Sequence, residues 1–225
     1  MVVKSDVSEL FDENIEGFML AACNDADTAG LYNGWQPERK DYSDKILKLR
    51  EPYQYFQAGT ILFNLSEFRK NYTIEEILAF ASNEKWFLQD QDVLNKLCEG
   101  RVKYIDMAWN VMVDYNGVRV REIVALAPHW LNRMYMEARK NPKIIHYAGP
   151  QKPWREAEMD FATDFWKYAR LTPFYEIMLW RMCQESRPSR KSPFRIAIKG
   201  LRCIREHGFI YTMRKIKHKI LGEGQ

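Results

Sequence analysis

Three groups of residues in this 225-residue chain have the types and spacing for chemistry. The first is Lys143-Ile-Ile-His-Tyr-Ala-Gly-Pro-Gln-Lys-Pro-Trp154. Ile144 and Ile145 read as the end of a short buried strand running into His146, a turn at Gly149 and Pro150, and then Lys152. An imidazole at a strand end can ligate a divalent metal, a glycine lets backbone approach a phosphate, and a lysine neutralises phosphate charge. Metal plus diphosphate is the chemistry this combination suggests, and strand ends are where α/β folds place ligands. Taken alone, a histidine after two isoleucines is more often a hydrogen-bonded structural residue than a ligand. The second group, Asp25-Ala-Asp27, follows the apolar run Phe18–Cys23. By pattern it is either a strand-end pair of metal-binding carboxylates or two acids of a surface loop. The third, Asp90-Gln-Asp92 with Leu94-Asn95, opens a helix, where Asp90 either meets a ligand or caps the first turn.

Three strings, in order, resemble blocks of the family-8 retaining glycosyltransferases, the group that includes lipopolysaccharide galactosyltransferases and glycogenin. They are Tyr55-Phe-Gln-Ala-Gly-Thr-Ile-Leu-Phe-Asn-Leu65, Gln89-Asp-Gln-Asp-Val-Leu-Asn95 and Ile144 to Trp154. The resemblance implies the C-terminal portion of a GT-A α/β fold. It implies transfer of a hexose, glucose or galactose, from a UDP-sugar to a glycan or lipid-linked acceptor with retained configuration, and Mn²⁺ or Mg²⁺ as cofactor. Carried over residue by residue, His146 would complete the metal site, and Gly149 and Lys152 would meet the diphosphate. Asp90 would hydrogen-bond the transferred sugar, and Gln91 would sit near the anomeric carbon on the face opposite the leaving group. Gln57, Ala58 and Gly59 would line the donor sugar, and Asp25 would contact sugar or acceptor. Gln57 stands where the family has asparagine, so the amide survives with one more methylene. In the family an Asp-x-Asp metal pair precedes a Ser-Glu-Leu-Phe-like turn, here Ser8–Phe11. That register puts Met1 directly after the second aspartate, which implies that the N-terminal portion with the Asp-x-Asp is absent from this chain. Asp25 and Asp27 follow the turn and so fall outside that pair.

The elements that must hold these residues can be read in outline. Met1-Val-Val reads as a strand remnant, and Ser5 or Asp6 as the cap of a short helical turn through Leu10 and Phe11. Residues 28–52 read as a long loop with a short helix at Ser43–Leu49. The aromatic and β-branched stretch 53–65 reads as a central buried strand. Thr73 with Glu76 makes a capping box for a helix over 75–81 whose Ile74, Ile77, Leu78 and Phe80 supply a core face. A helix follows over 88–97, and Val102-Lys-Tyr-Ile105 reads as an edge strand. From Val118 to Lys140 runs an apolar and basic stretch, with Trp130, Met134, Tyr135 and Met136 taken as packing. Phe161 to Ala169 fits a helix, and Thr172-Pro173 would restart another as cap and first-turn proline.

Composition bounds the rest. Hydrophobic residues make up 46% and aromatics 14%, which excludes a disordered chain. Cys23, Cys98, Cys183 and Cys203 show no ligand spacing and read as reduced thiols of a cytosolic protein. No apolar run reaches membrane-spanning length. Between Arg187 and Lys219 eleven basic residues face one acid, giving that segment +10 within a net charge of +4 and leaving −6 for the remainder. The expected layout is therefore a glycosyltransferase-like domain over 1–185 and a basic helical tail over 186–225. Two amphipathic helices, split at Gly208, fit the anionic cytoplasmic face of a membrane better than nucleic acid, for which no binding pattern is present. A reading of another class stays open: a catalytically inactive remnant that binds membrane or a partner through its tail.

Overall fold

The computed structural model describes residues 1–185 together with 201, 203–205, 209 and 211–213. Two compact units divide the chain, 1–173 and 174–225. The first unit runs β1 (Val2–Val3), α1 (Ser8–Phe11), β2 (Leu20–Asn24), α2 (Ala26–Gly30), α3 (Pro37–Tyr42), β3 (Phe56–Phe63), α4 (Leu65–Asn71), α5 (Ile74–Ser82) and α6 (Asp90–Leu97). It continues with β4 (Val102–Tyr104), β5 (Val111–Met112), α7 (His129–Ala138), β6 (Ile144–His146) and α8 (Ala162–Ala169). Helix α9 (Tyr175–Glu185) belongs to the second unit. The tail helices expected beyond 186 lie largely outside the described residues, and those described there are helical. Among the described residues no helix is long and apolar enough to cross a membrane.

Every residue of β2 is buried, and its small side chains let layers close on both faces. Alternate residues serve different clusters, as a pleated strand requires. Ala21 and Cys23 pack with Trp109, Val124, Leu131 and Tyr135, whereas Leu20 and Ala22 pack with Phe56, Cys98 and Val102. Strand β3 runs antiparallel to β2 on one side and β4 parallel on the other, in the order β3-β2-β4. The stretch expected to be the central strand is thus an edge, and β2 takes the centre. Side chains of α6 stand in for a further strand along that edge: Asn95 accepts from the Phe56 N–H and donates to its carbonyl, both at 2.8 Å. A second three-stranded sheet, β1-β6-β5, holds β6 in its middle. There Ile144 faces the first cluster, and Ile145 packs with Val2, Val113 and Tyr147.

Several expectations meet the structure unchanged. The capping box at Thr73 and Glu76 is formed. Others are corrected. Asp6 accepts from the Ser8 N–H at 2.9 Å, but Val7 takes the cap position of α1, with no side-chain cap bond. Residues 28–52 are mostly helical rather than loop, because Asp25 caps α2 and Pro37 starts α3. Ile74 and Leu78 of α5 are exposed instead of core; the helix is held by its cap and by Trp86 against Phe80, ring centroids 5.3 Å apart. Helix α7 turns Leu131, Tyr135 and Ala138 inward and leaves Trp130, Met134 and Met136 exposed. Thr172 does not cap α9, since its hydroxyl donates to the Ala169 carbonyl at 2.8 Å and closes the end of α8.

Candidate active site

The site is built where β2 ends. Ala22 pairs with Ile61, yet the next residue, Cys23, pairs with Gln57. Ala58, Gly59 and Thr60 therefore bulge out of the ladder, a device that re-aims backbone and side chains beside functional sites. The freed Ala58 N–H donates to Gln91 Oε1 at 2.9 Å. Gln91 Nε2 in turn donates to Asp25 Oδ2 at 3.1 Å. Asp25 begins α2, accepting from the Thr28 N–H at 2.9 Å and the Thr28 hydroxyl at 3.0 Å. At 4% exposure it is no surface-loop acid. Burial, and next the neighbouring Asp27 carboxylate, push the Asp25 carboxyl above the ordinary range, against the pull of Thr28 and Arg119.

His146 ends β6 with its ring against the same bulge. Its Nδ1 lies 3.0 Å from Asn110 Oδ1, and Asn110 Nδ2 donates to Gln57 Oε1, which also accepts from the Gly59 N–H. A Cβ on Gly59 would overlap the imidazole, so only glycine lets the ring sit there. In the β1–β6 register Val2 faces Ile145, which places Met1 across from His146. Burial chiefly, then the positive charges of the Met1 amino group, Arg119 and Lys152, hold the imidazole pKa down at about 4, so the ring is neutral at physiological pH.

Beyond His146, Gly149 takes φ +112°, a conformation that suits glycine. Lys152 Nζ donates to the Tyr147 carbonyl, and burial with repulsion from Arg119 and Arg155 lowers its pKa. Arg119, buried, clamps this turn to the rest of the site. Its Nη1 donates to the carbonyls of Val113 and Ala148, the latter at 3.1 Å, and its Nε lies 3.3 Å from Asp27 Oδ1. Asp90 stands exposed on the first turn of α6 with no partner among the described residues.

Two hydrogen-bonded chains thus meet on the β3 bulge, Asp25 and Gln91 reaching Ala58 and His146 and Asn110 reaching Gln57 and Gly59, while Gly149 and Lys152 follow His146 in the next turn and the exposed Asp90 precedes Gln91 in α6. Reading the sequence missed Asn110, Asp92 and Arg119. Asp92 accepts from the Tyr55 and Tyr42 hydroxyls at 2.6 and 2.8 Å and from the Leu88 N–H at 2.6 Å, and so fixes the start of α6 against β3. Asp92 lies inside the second quoted block, a signal that could have flagged it, whereas Asn110 falls between the second and third blocks. Arg119 lies in a stretch with no pattern. As for a divalent cation, no group of three or more His, Cys, Asp or Glu among the described residues could hold one. Asp25 and Asp27 are engaged by Thr28, Gln91 and Arg119, so the described residues do not by themselves form a metal site. A cavity of about 310 Å³ lined by Thr28, Tyr32, Ser43, Asp44 and Tyr55, among others, opens beside α2.

Residues 1–158 match the sequence profile described as glycosyl transferase family 8. The chain is 27% identical over 159 residues to a putative glycosyltransferase of Haemophilus influenzae, covering 69% of this chain and 42% of that protein. It is 25% identical over 181 residues to general stress protein A of Bacillus subtilis, covering 78% and 58%. To the lipopolysaccharide glucosyltransferase WaaO of Escherichia coli it is 23% identical over 179 residues, covering 73% and 47%. The chain therefore spans about half the length of these relatives. Among solved structures, the WbbM bifunctional glycosyltransferase superposes with a TM-score of 0.72 at 28% identity, over 80% of this chain and 33% of that one. The galactosyltransferase LgtC, solved with donor and acceptor sugar analogues, gives 0.55 at 24% identity over 76% and 58%, a likeness of fold.

Proposed function

The chain belongs to glycosyl transferase family 8, and from that premise we propose that it serves the transfer of glucose or galactose from a UDP-sugar to a glycan or lipid-linked acceptor, with retention. The observation that carries this reading is the meeting of Asp25, Gln91 and the β3 bulge at the end of β2, two hydrogen bonds away from His146 through Asn110. Lys152 would offset diphosphate charge, and Gly149 would let backbone approach it. Gln91 Oε1, which accepts from the Ala58 N–H, keeps a second lone pair, so it can hold its oxygen toward positive charge developing at the anomeric carbon. Asp90 is free to bond a sugar hydroxyl, and the cavity beside Thr28 and Tyr55 suits an acceptor. Mn²⁺ or Mg²⁺ would supply Lewis acidity at the departing UDP. His146 is the described residue assigned to that cation, and carboxylates could join it from residues linked ahead of Met1, which lies across the strand pair from the imidazole. The basic 187–219 segment would dock the enzyme on the anionic inner face of a membrane.

The test is UDP release from UDP-glucose and UDP-galactose with Mn²⁺. It compares this chain, a polypeptide extended upstream of Met1, and the extended His146→Ala variant. Metal-dependent turnover by the extended protein, abolished in His146→Ala, is the expected result. Turnover by the 225-residue chain would instead give Asp25 and Asp27 a metal role. No turnover by any of the three would leave the second reading, an inactive remnant that binds membrane or a partner, which the lone metal-binding candidate among the described residues favours.

A further inference from the structure

We infer that the backbone N–H of Gly59, acting through the side-chain amides of Gln57 and Asn110, fixes His146 as the tautomer with its proton on Nδ1 and its lone pair on Nε2. The argument starts from the one group in the chain of contacts whose polarity is beyond choice. A backbone N–H only donates, so the Gln57 atom that meets Gly59 must be the carbonyl oxygen. That same oxygen receives the amide of Asn110, so the Asn110 atom facing it must be the nitrogen. The opposite end of the Asn110 amide, its oxygen, then faces His146 Nδ1 at 3.0 Å. An amide oxygen only accepts, so Nδ1 must carry the hydrogen. A neutral imidazole has a single N–H, which leaves Nε2 unprotonated.

Each link is held in place sterically as well. Asn110 is buried in the turn before β5, and the imidazole occupies space that any Cβ on residue 59 would fill. Flipping either amide would set donor against donor or acceptor against acceptor in a buried cluster, where an unmatched polar group is costly. Asn110 and Gln57 are therefore positioning residues. A ring set in this way can give a lone pair to a cation or accept a hydroxyl proton, but it cannot donate from Nε2 to a phosphate oxygen. In a cation site the partner on the second ring nitrogen is what orients a histidine ligand. The reading also gives Gln57 a use directed at the protein rather than at the sugar. It rests on the transferase assignment only for the meaning of the lone pair; the tautomer is a property of the chain alone.

The experiment is long-range ¹H–¹⁵N correlation of the ¹⁵N-histidine-labelled 225-residue chain at about pH 8, where a histidine of ordinary pKa is neutral. Four histidines are present, and His146 is assigned by the signals lost in His146→Gln. The expected wild-type pattern is protonated Nδ1 and unprotonated Nε2. Asn110→Ala and Gln57→Leu should shift the major form to Nε2–H, whereas Asn110→Asp, whose carboxylate still accepts, should keep Nδ1–H. Nε2–H in the wild type overturns the inference outright, even if a variant fails to fold. Nδ1–H persisting unchanged in Asn110→Ala or Gln57→Leu overturns the relay. Because no turnover is measured, this outcome is independent of whether the chain transfers sugar.

Discussion

Two residues of the site pull its acid response in opposite directions. Burial and nearby positive charge depress the His146 pKa from the ordinary 6.5 to about 4, so its contribution is complete above 6.5 and is lost as pH falls toward 4. Asp25 carries a raised pKa, so its buried charge costs stability at neutral pH, and that cost is relieved as pH falls toward the ordinary 3.8. Over the shared interval the two offset each other. Urea midpoints at pH 7 and pH 5 should separate them. Relative to wild type, His146→Gln gains stability on acidification and Asp25→Asn loses it; the same sign in both would refute this account. Gly59 tests the site sterically. Gly59→Ala should push the imidazole off Asn110, cost about 1–3 kcal/mol as an overpacked contact, and cut turnover at least as much as loss of the His146 ring does. Unchanged stability and turnover would mean that the bulge can yield.

At the level of elements, the site depends on how α6 and the Arg119 turn are fastened to the sheets. Gln89, just ahead of α6, sits at φ 47° and ψ −118°, a conformation glycine adopts without cost. Gln89→Gly should raise stability by about 1 kcal/mol, read as a higher thermal midpoint; a lower one would mean that the Gln89 side chain contributes contacts not evident from its bonds. Arg119→Leu strands a partly buried Asp27 and releases the Ala148 carbonyl, at an expected cost of about 3–5 kcal/mol. Adding Asp27→Ala should recover part of that loss, and failure to recover any would show that the ion pair is not the reason. These elements also mark how far the sequence could be read. The short β6, the capped α5 and the α6 helix follow from local patterns: two isoleucines before a turn, Thr73 with Glu76, apolar spacing over 93–97. The bulge in β3 was out of reach, because it is a register shift between two strands and leaves no periodicity of its own. Placing β3 in the centre failed for a related reason: its aromatic character reflects cover from α6 side chains rather than flanking strands on both sides. Arg119 stayed hidden because a buried guanidinium is defined by the groups it meets, and two of these, the Ala148 carbonyl and the Asp27 carboxylate, belong to distant segments.

At the scale of the whole molecule, the GT-A α/β fold and the family were legible from three ordered blocks, whereas His146 is the one described residue to which the resemblance gives a cation-binding role. Charge asymmetry is the other whole-chain property. Eleven basic residues over 187–219, each worth about 1 kcal/mol near an anionic surface, should bring the chain down with vesicles containing phosphatidylserine. Raising salt to about 0.5 M should release it. Truncation after Glu185 should abolish binding, and equal sedimentation with uncharged vesicles would defeat the docking idea. The two-residue strand β1 has a consequence of its own for the order of assembly. Val2 meets Ile145, 143 positions along the chain, so two residues of pairing must repay the closure of nearly the whole first unit. Strand β1 should therefore settle last and loosen first, with the Lys4 amide, bonded to the Lys143 carbonyl at 2.8 Å, exchanging with solvent long before the amides of β2. The side of His146 that faces Met1 would then be a slow door, opening by local unfolding while the Asn110 side stays shut.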